Sequence, residues 1–455
     1  MTSYVSTRGR AGPVPFADAL LAGTADDGGL WVPDAWPSLP AETGDGWVGL
    51  ATAVLERFAG PGVGDAVAEA AATFDHPDVL PLVDLGDVHL LELFHGPTLA
   101  FKDVALQVVG RLVDAELTRR GERATVVVAT SGDTGSAAIE ACRGRPSVDV
   151  AVLHPAGLVS EVQRRQMTTV DEPNVLNLAV DGNFDDCQAL VKRLFAEERD
   201  RGGLRLMAMN SINWARLAVQ VAPFVLAARR LGGGPVSFAV PSGNFGNAYA
   251  AWVARRMGLA VDTVVVGSNR NDALARWLRT GVLGGGPVHA TLSPSMDVQV
   301  ASNAERLLFE LADRDGATVA GWMADLAAGR PVDVGPGRAG ELAGRFPAAS
   351  VDDEATLATM GDVHRRTGVL IDPHTAVGVA AARARRADTG DTPVVCLATA
   401  HPAKFPDAVA EATGVRPALP DRLADLLDRP ERVTAVPADL GAVRAAIVER
   451  FAVRA

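Results

Sequence analysis

Lysine is scarce in this chain of 455 residues. Of its 43 basic residues only Lys102, Lys192 and Lys404 are lysines, and all the others are arginines. An arginine stays protonated in a protein, whereas a lysine amine can lose its proton and attack a carbonyl carbon. The three lysines are therefore candidates for nucleophilic chemistry. Scarcity alone, however, does not distinguish a reactive lysine from one that is present through sequence drift.

Cysteines and long apolar stretches are also few. Cys142, Cys187 and Cys396 are odd in number and far apart, which argues against a disulfide framework and is typical of a reducing compartment. No window reaches the apolar length that a membrane span requires. The N-terminal residues lack the apolar core and small-residue cleavage site of a secretory signal. The sequence therefore predicts a cytoplasmic protein that does not enter a membrane.

Several motifs that would indicate other chemistry are missing. Neither GxxxxGK[ST] nor GxSxG occurs, so neither a nucleotide phosphate loop nor a hydrolase nucleophile elbow is predicted. CxxC and HExxH are absent and the eight histidines are dispersed, so we expect no metal site. The net charge is −12 and the basic residues are scattered, which disfavours a nucleic-acid partner or an anionic membrane.

What the sequence does contain is an alternation of short β-branched runs with helical patterns. The apolar runs 125–129, 148–153, 236–240 and 394–398 each lead into a short loop, and helical spacing follows. Strand, glycine-bearing loop and helix in repetition predict parallel α/β layers. In such sheets ligands bind at the carboxyl ends of the strands, where these loops lie.

Glycine-rich stretches and composition suggest how the chain is divided. We predict an N-terminal region over 1–95, a smaller α/β domain over 96–230 and a larger α/β domain over 231–455. The stretch 335–340 satisfies GxGxxG, but it lacks a confident preceding strand and is predicted to be a loop. The last forty residues are predicted to be helical.

The first segment with chemical character is ELFHGPTLAFKD, residues 92–103. Lys102 follows an apolar Leu-Ala-Phe run, and partial burial lowers the pKa of a lysine, as the formation of an imine requires. Viewed alone, Lys102 is better explained as an ordinary exposed lysine at the start of a helix. A chemical role therefore depends on its neighbours.

Two loops between a strand and a helix offer anion sites. In SGDTG, residues 131–135, backbone N–H groups meet the start of a helix, and Asp133 adds an acceptor for a phenolic or imine group. In SGNFGN, residues 242–247, Gly243 and Gly246 let backbone amides approach an anion such as a cofactor phosphate. A capped tight turn explains the first loop equally well. Two such loops at strand ends nevertheless favour binding.

Two further segments carry polar groups. NSINWAR, residues 210–216, supplies amides and a guanidinium suited to a phosphorylated substrate, although an arginine on a solvated helix face is as good an explanation. Thr399 follows the run VVCLA and could hydrogen-bond a ring nitrogen, or it could simply cap the next turn.

Nine segments in order resemble the threonine synthase family, and the start YVSTRG with a later DGGLWVP is similar to the N-terminal domain of that family. The resemblance runs from about residue 4 to 415. It implies the α/β architecture of fold-type II pyridoxal-phosphate enzymes, similar to tryptophan synthase β, with two α/β domains of parallel type and an N-terminal extension. The segments are HGPTLAFKD, ATSGDTGSAAIEA, SEVQRRQMTT, FDDCQ, NSINWAR, SGNFGN, TLSPSMDVQVASNAERLLFE, IDPHTAVG and ATAHPAKFPDAV.

The resemblance implies a set of site residues for pyridoxal 5′-phosphate. Lys102 forms the imine with the cofactor and then serves as acid and base, Asp133 lies near the phenolic oxygen, and Thr399 meets the pyridine nitrogen. The other implied cofactor-binding residues are Phe101, Gly243, Asn244, Phe245, Gly246 and Asn247. The implied substrate-binding residues are Ser131, Gly132 and Thr134 for the carboxylate and Asn210 and Arg216 for the phosphate.

The resemblance also implies a reaction, from O-phospho-L-homoserine and water to L-threonine and phosphate. A neutral hydroxyl at the ring nitrogen leaves that nitrogen less cationic than a carboxylate would. We expect this small molecule as the substrate and a monomer or homodimer as the assembly. A related lyase or dehydratase acting on another phosphorylated or hydroxy amino acid is the alternative. Leu158 stands where the family usually carries a basic residue, so substrate binding could differ there.

Overall fold

The computed structural model describes residues 2–44, 46–130, 132–201 and 204–451. Among these residues no helix is long and apolar enough to cross a membrane. The strands are β1 Ser3–Ser6, β2 Val14–Pro15, β3 Trp31–Pro33, β4 Leu82–Asp84, β5 His89–Glu92, β6 Ala124–Ala129, β7 Val148–Pro155, β8 Val175–Asp181, β9 Leu206–Met207, β10 Val236–Pro241, β11 Val261–Ser268, β12 Val282–Leu283, β13 Val332–Asp333, β14 Ala348–Ser350, β15 Val394–Ala398 and β16 Thr434–Pro437.

Helices occupy most of the remaining described chain, together with 3₁₀ turns at Pro294–Met296, Pro402–Lys404 and Asp421–Leu423. The helices are α1 Phe16–Ala22, α2 Gly46–Ala59, α3 Gly64–Ala71, α4 Lys102–Arg120, α5 Asp133–Cys142, α6 Glu161–Thr168, α7 Phe184–Arg201, α8 Trp214–Arg230, α9 Gly246–Arg256, α10 Ala273–Thr280, α11 Ala304–Leu311, α12 Gly316–Ala327, α13 Pro336–Arg345, α14 Asp353–Thr367, α15 Pro373–Ala384, α16 Arg386–Thr389, α17 Pro406–Thr413 and α18 Leu440–Phe451.

The chain packs as two compact units. The first is drawn from segments 1–19, 24–101 and 211–417, and the second from 20–23, 102–210 and 418–455. The boundaries of these units differ from those of the domains predicted from the sequence. The segment 418–455 packs with 102–210, and the segments 1–19 and 24–101 pack with 211–417. The division into 1–95, 96–230 and 231–455 stays a prediction.

The first unit is built on a six-stranded sheet with the order β14-β11-β10-β15-β5-β4. All neighbours run parallel except β4, which is antiparallel to β5. Helices α14 and α15 contribute Met360 and Val379 to a buried cluster with Leu90, Ala239 and Cys396 of the sheet. Because β10 and β15 are parallel neighbours, the loop after β10 and the residue after β15 emerge at the same edge of the sheet.

The second unit is built on a parallel five-stranded sheet with the order β16-β8-β7-β6-β9. Every residue of β7 is buried, as expected for a strand covered on both faces. Helices α7 and α18 pack Leu190, Leu194 and Ile447 against Leu153 and Leu178 of the sheet. The predicted parallel α/β layering is therefore confirmed in both units.

Two local predictions were wrong. The last forty residues were predicted to be helical, which is confirmed for α18 and wrong for β16. This strand has a single buried residue, Val436, so no apolar run in the sequence indicates it. The stretch 335–340 was predicted to be a loop, yet α13 begins at Pro336. Proline at the first helical position fits there, because its missing N–H would have no partner within the helix.

Candidate active site

Lys102 is the first residue of α4 and is nearly buried, with one-tenth of its side chain exposed. Its Nζ atom donates a hydrogen bond to Oδ2 of Asp133 over 3.2 Å. Lys102 therefore does lie at the start of a helix, but the alternative interpretation, that it is an exposed lysine, is wrong. A buried amine beside a buried carboxylate is an arrangement that often marks a functional site.

The loop before α5 positions that carboxylate. Asp133 is the first residue of α5, where a negative charge interacts favourably with the helix dipole. Thr130 holds the turn together, because its Oγ1 accepts from the backbone N–H groups of Gly132 and Gly135 over 2.9 and 3.0 Å. Thr134 lies partly buried in the first turn of α5. Ser131, predicted to bind the substrate carboxylate, lies outside the described residues.

Gln163 is a site residue that the sequence analysis did not single out. Its Nε2 atom donates to Oδ1 of Asp133 over 2.8 Å. Gly132 has φ +145°, and a Cβ atom at that position would lie 2.5 Å from the Gln163 side chain. Glycine is therefore required here both by the backbone and by the glutamine. Its segment, SEVQRRQ, is one of those that resemble the threonine synthase family.

In the first unit, the SGNFGN loop connects β10 to α9. Phe245 is fully buried and adopts a left-handed φ of +62°, a conformation that costs a non-glycine residue roughly 1–3 kcal/mol and is concentrated at functional sites. Its ring packs edge-on against Trp277 and Phe346. Gly243 lies against a neighbouring segment, since a Cβ atom there would be 3.0 Å from Cα of Met296.

The asparagines of this loop differ in their surroundings. The carbonyl of Asn244 accepts from the backbone and side-chain N–H groups of Asn303, both over 3.1 Å. Asn247 is buried, and among the described residues its Nδ2 atom has no acceptor. A buried amide donor at the start of a helix is suited to a phosphate oxygen, so the residues present fit the phosphate of pyridoxal phosphate.

Thr399, directly after β15, is fixed through its backbone. Its N–H donates to Oγ1 of Thr375 over 3.3 Å, and its carbonyl accepts from the N–H of Phe101 over 2.8 Å. The Thr375 hydroxyl in turn donates to Oδ1 of Asp372. The side chain of Thr399 is buried. Phe101, the residue before Lys102, is thus held beside Thr399 by a backbone hydrogen bond, and Leu99 in the same segment has φ +60°.

Asp372 serves two parts of this sheet edge. Its Oδ2 atom accepts from Nδ1 of His374 over 2.7 Å, and Nε2 of His374 accepts from the backbone N–H of Ser295 over 3.2 Å. The Ser295 carbonyl lies 3.1 Å from where a Cβ atom of Gly243 would be. One buried carboxylate therefore supports both the strand end at Thr399 and the packing beneath the glycine loop. Asp372 and His374 are not predicted as site residues from the sequence, although their segment, IDPHTAVG, is one of those that resemble the family.

The two residues predicted to bind the substrate phosphate, Asn210 and Arg216, differ in burial and in the unit to which they belong. Between them in the sequence, Asn213 caps α8 by accepting a hydrogen bond from the N–H of Ala215 over 3.0 Å. Arg216 lies in the first turn of that helix and is buried, and burial lowers its pKa to about 10. Arg216 belongs to the first unit, whereas Asn210 is exposed and belongs to the second. The solvated-arginine explanation is therefore wrong for Arg216.

A second buried arginine fixes the backbone before α8. The Arg306 guanidinium donates to the carbonyl of Trp31 over 3.1 and 3.0 Å, to the carbonyl of Ile212 over 2.6 Å and to the side chain of Asn303. Burial lowers the pKa of Arg306 to about 10. The NSINWAR segment is thus anchored to the N-terminal sheet and to α11.

No group of three or more potential metal ligands occurs in the described ranges.

Comparison with known proteins identifies the family. The chain matches a model of the threonine synthase N terminus over residues 3–66, one of pyridoxal-phosphate-dependent enzymes over 81–325 and one of the threonine synthase C-terminal part over 375–447. A threonine synthase of Pseudomonas aeruginosa is 48% identical, over 97% of this chain and 97% of the relative. The chain belongs to the threonine synthase family.

Solved threonine synthases share the whole architecture. A pyridoxal-phosphate-bound threonine synthase from Brucella melitensis is 46% identical and superposes with a TM-score of 0.95, covering 99% of both chains. The yeast threonine synthase is 36% identical with a TM-score of 0.92 and the same coverage. A more distant pyridoxal 5′-phosphate-dependent aspartate racemase, at 14% identity and a TM-score of 0.51, shares the fold alone. The predicted fold-type II architecture, family and cofactor are therefore confirmed.

Proposed function

We propose that this protein converts O-phospho-L-homoserine and water to L-threonine and inorganic phosphate, with pyridoxal 5′-phosphate as its cofactor. The observation that carries the proposal is the buried Lys102 amine at hydrogen-bond distance from Asp133 in a chain of the threonine synthase family. The residues that position this pair lie in the segments that resemble the family.

The cofactor would be held by residues of four segments. Lys102 would bind it covalently, with Phe101 beside it, while Asp133 and Thr399 would meet its polar ring substituents. When bound, pyridoxal phosphate supplies an electron sink for negative charge that forms on the substrate. The residues proposed for its phosphate are Gly243, Asn244, Phe245, Gly246 and Asn247, and the buried amide of Asn247 supports this assignment.

Proton transfer is the proposed work of Lys102. Its Nζ atom would take the proton from Cα of the substrate, and a second deprotonation, at Cβ, would allow phosphate to leave from Cγ. The hydroxyl of a water molecule would then add at Cβ. The three protons released from Cα, from Cβ and from this water would go to Cγ, which becomes the methyl group of threonine, back to Cα, and to the departing phosphate. A single positioned amine can serve several such steps as acid and base, typically accelerating each by about 10²–10⁴-fold. Asp133, 3.2 Å away, would keep the amine in place between transfers.

Substrate recognition is proposed to depend on charge and on backbone amides. Arg216, with its buried guanidinium, would pair with the substrate phosphate, together with Asn210. Ser131, Gly132 and Thr134 are proposed to bind the substrate carboxylate. Because the Gly132 N–H already donates to Thr130, Gly132 would contribute through its lack of a side chain, whereas the N–H of Thr134, in the first turn of α5, would donate to the carboxylate. Leu158, two-thirds exposed in the turn after β7, offers no charge where the family usually has one.

Product analysis with O-phospho-L-homoserine as sole substrate tests the proposed reaction. We expect threonine and phosphate in equal amounts. A preparation that binds pyridoxal phosphate and releases no phosphate would contradict the proposal, and a ketoacid product would indicate the related elimination reaction instead. Borohydride treatment of the loaded protein should attach the cofactor to the peptide containing Lys102, and Lys102→Ala should lose both the attachment and the activity.

The setting of this activity is also a proposal. We infer a cytoplasmic protein that acts as a monomer or homodimer on a small molecule and binds no nucleic acid. The three cysteines support a reducing compartment, since all of them are buried and unpaired. Light scattering on the purified holoprotein would measure its mass, and a mass above that of a dimer would contradict the proposed assembly.

A further inference from the structure

Gln163 connects a surface serine to the lysine–aspartate pair. Ser160 caps α6, where its Oγ atom accepts from the Gln163 N–H over 3.4 Å and donates to Gln163 Oε1 over 3.0 Å. At the other end of the same amide, Nε2 donates to Oδ1 of Asp133 over 2.8 Å. Oδ2 of Asp133 accepts from Nζ of Lys102. Four residues thus form one chain in which every donor faces an acceptor.

The orientation of the Gln163 amide follows from its partners. An ionised carboxylate only accepts hydrogen bonds, so the amide nitrogen must face Asp133 and the amide oxygen must face the hydroxyl of Ser160. The side chain has little room to move, because Gln163 is 3% exposed and fills the space that the missing Cβ of Gly132 leaves. A buried amide held at both ends restricts the rotation of the carboxylate that it contacts.

We propose that Gln163 is a positioning residue that holds the Asp133 carboxylate with one oxygen directed at the Lys102 amine. This inference rests on the proposed function, since it gives Gln163 a role in the chemistry of Lys102. A carboxylate fixed at hydrogen-bond distance favours the protonated form of the amine. Gln163 therefore controls what fraction of the Lys102 side chain is unprotonated, and hence reactive, before the cofactor binds.

The scarcity of lysine makes this fraction measurable. We would treat the cofactor-free full-length protein at low extent with formaldehyde and cyanoborohydride and follow methylation of each lysine by mass spectrometry. Lys192 is exposed and serves as the internal reference for reagent strength. The measured quantity is the ratio of the rate at Lys102 to the rate at Lys192.

Two variants shift this ratio in opposite directions. Gln163→Met keeps a similar volume but cannot donate, so Asp133 is held less firmly and the ratio should rise by roughly tenfold, the effect of one pKa unit. Gln163→Glu adds a carboxylate beside Asp133 and should lower the ratio. Asn177→Ala is the matched control, because its amide holds the carbonyl of Met167 in α6 over 3.0 Å. It should leave the ratio within twofold of the wild type.

The outcomes separate this inference from the proposed function. A wild type that forms threonine, together with ratios unchanged in both folded Gln163 variants, would overturn the positioning role and leave the function intact. A wild type that forms no threonine would overturn the function, whatever the methylation ratios are. In the loaded protein, Gln163→Met should also move the visible absorption of the bound cofactor, whereas Asn177→Ala should not. An absorption spectrum identical to the wild type would count against the positioning role.

Discussion

The Nζ atom of Lys404 donates a hydrogen bond to the backbone carbonyl of Thr98 over 2.8 Å. Lys404 is 1% exposed and is more deeply buried than Lys102, which is 8% exposed. Scarcity and burial would therefore rank Lys404 at least as high as Lys102 for chemistry. The two amines differ in their surroundings, since Lys102 faces a carboxylate beside a helix start, whereas Lys404 ties the chain after Thr399 to the segment that leads into α4.

Replacing Lys404 by methionine should affect stability and leave the chemistry of Lys102 in place. The Thr98 carbonyl would lose a charged donor inside the protein, which typically costs about 1–3 kcal/mol. Urea denaturation followed by fluorescence would measure the loss. Borohydride attachment of the cofactor to Lys102 should persist, and its disappearance in a folded Lys404→Met protein would contradict the structural role assigned here.

Replacing Asp372 by alanine should weaken cofactor binding. The change removes the acceptor for the Thr375 hydroxyl and for His374, and with it the support for Thr399 and the glycine loop. We expect the dissociation constant for pyridoxal phosphate to rise roughly tenfold, equivalent to about 1.4 kcal/mol. Equilibrium dialysis would measure it.

The matched control for this change is Asp352→Ala. Asp352 also caps a helix, accepting from the N–H of Ala355 over 2.8 Å at the start of α14. Loss of such a cap costs about 1 kcal/mol of stability. Cofactor affinity should stay at the wild-type value in this control, and equal losses of affinity in both variants would show that the effect of Asp372 is only a general weakening of the unit.

Replacing Arg216 by lysine should raise KM for O-phospho-L-homoserine. A lysine cannot reproduce the two-pronged contact of a guanidinium with a phosphate, and a hydrogen bond to a charged group contributes about 1.5–3 kcal/mol. We expect KM to rise by roughly 10- to 100-fold while the cofactor absorption is retained. Arg229→Lys, at the exposed end of the same helix, is the control. A KM unchanged by Arg216→Lys would remove Arg216 from the substrate site.

Glu116 in α4 gives the second unit a distinct response to acid. Hydrogen bonds from Arg119 lower the pKa of this carboxyl from 4.5 to about 2, against a smaller opposing effect of burial, and Arg120 contributes in the same sense. Because the pKa is lower in the folded state, the contribution of Glu116 is present above pH 4.5 and is lost as the pH falls towards 2. Glu116→Gln should therefore flatten the decline of unfolding free energy across this window, as measured by urea titration at several pH values. An unchanged decline would contradict the assignment.

The strands near the site could be predicted because each is an apolar run that ends in a glycine or a polar loop. The run 394–398 coincides with β15, and the run 125–129 falls one residue short of β6. The resemblance located Lys102 and Asp133, and the structure places them at hydrogen-bond distance. The apolar runs were sufficient to predict the strands because they reflect local burial, and the order of the motifs was sufficient to locate the two residues.

The residues that support the site could not be predicted in the same way. Gln163 looks like an ordinary helix residue, and its role depends on Asp133, 30 residues away. Asp372 looks like an ordinary helix cap, and its role depends on the contact that its neighbour Thr375 makes with Thr399. Such partners are decided by the packing of segments far apart in sequence. The left-handed backbone at Phe245 is likewise invisible in the sequence, because nothing local favours that conformation for a phenylalanine.

The position of β16 has a consequence for how the protein is made. This strand pairs with β8, and near it the amide of Asn177 donates to the carbonyl of Arg432, 255 residues away in the chain. While the ribosome synthesises the intervening segment, the edge of β8 has no partner and is open to pairing with other nascent chains. The second unit can be completed only after the whole of 211–417 has been translated. Chaperone demand and aggregation should therefore be greatest for truncated or stalled chains that end before residue 434.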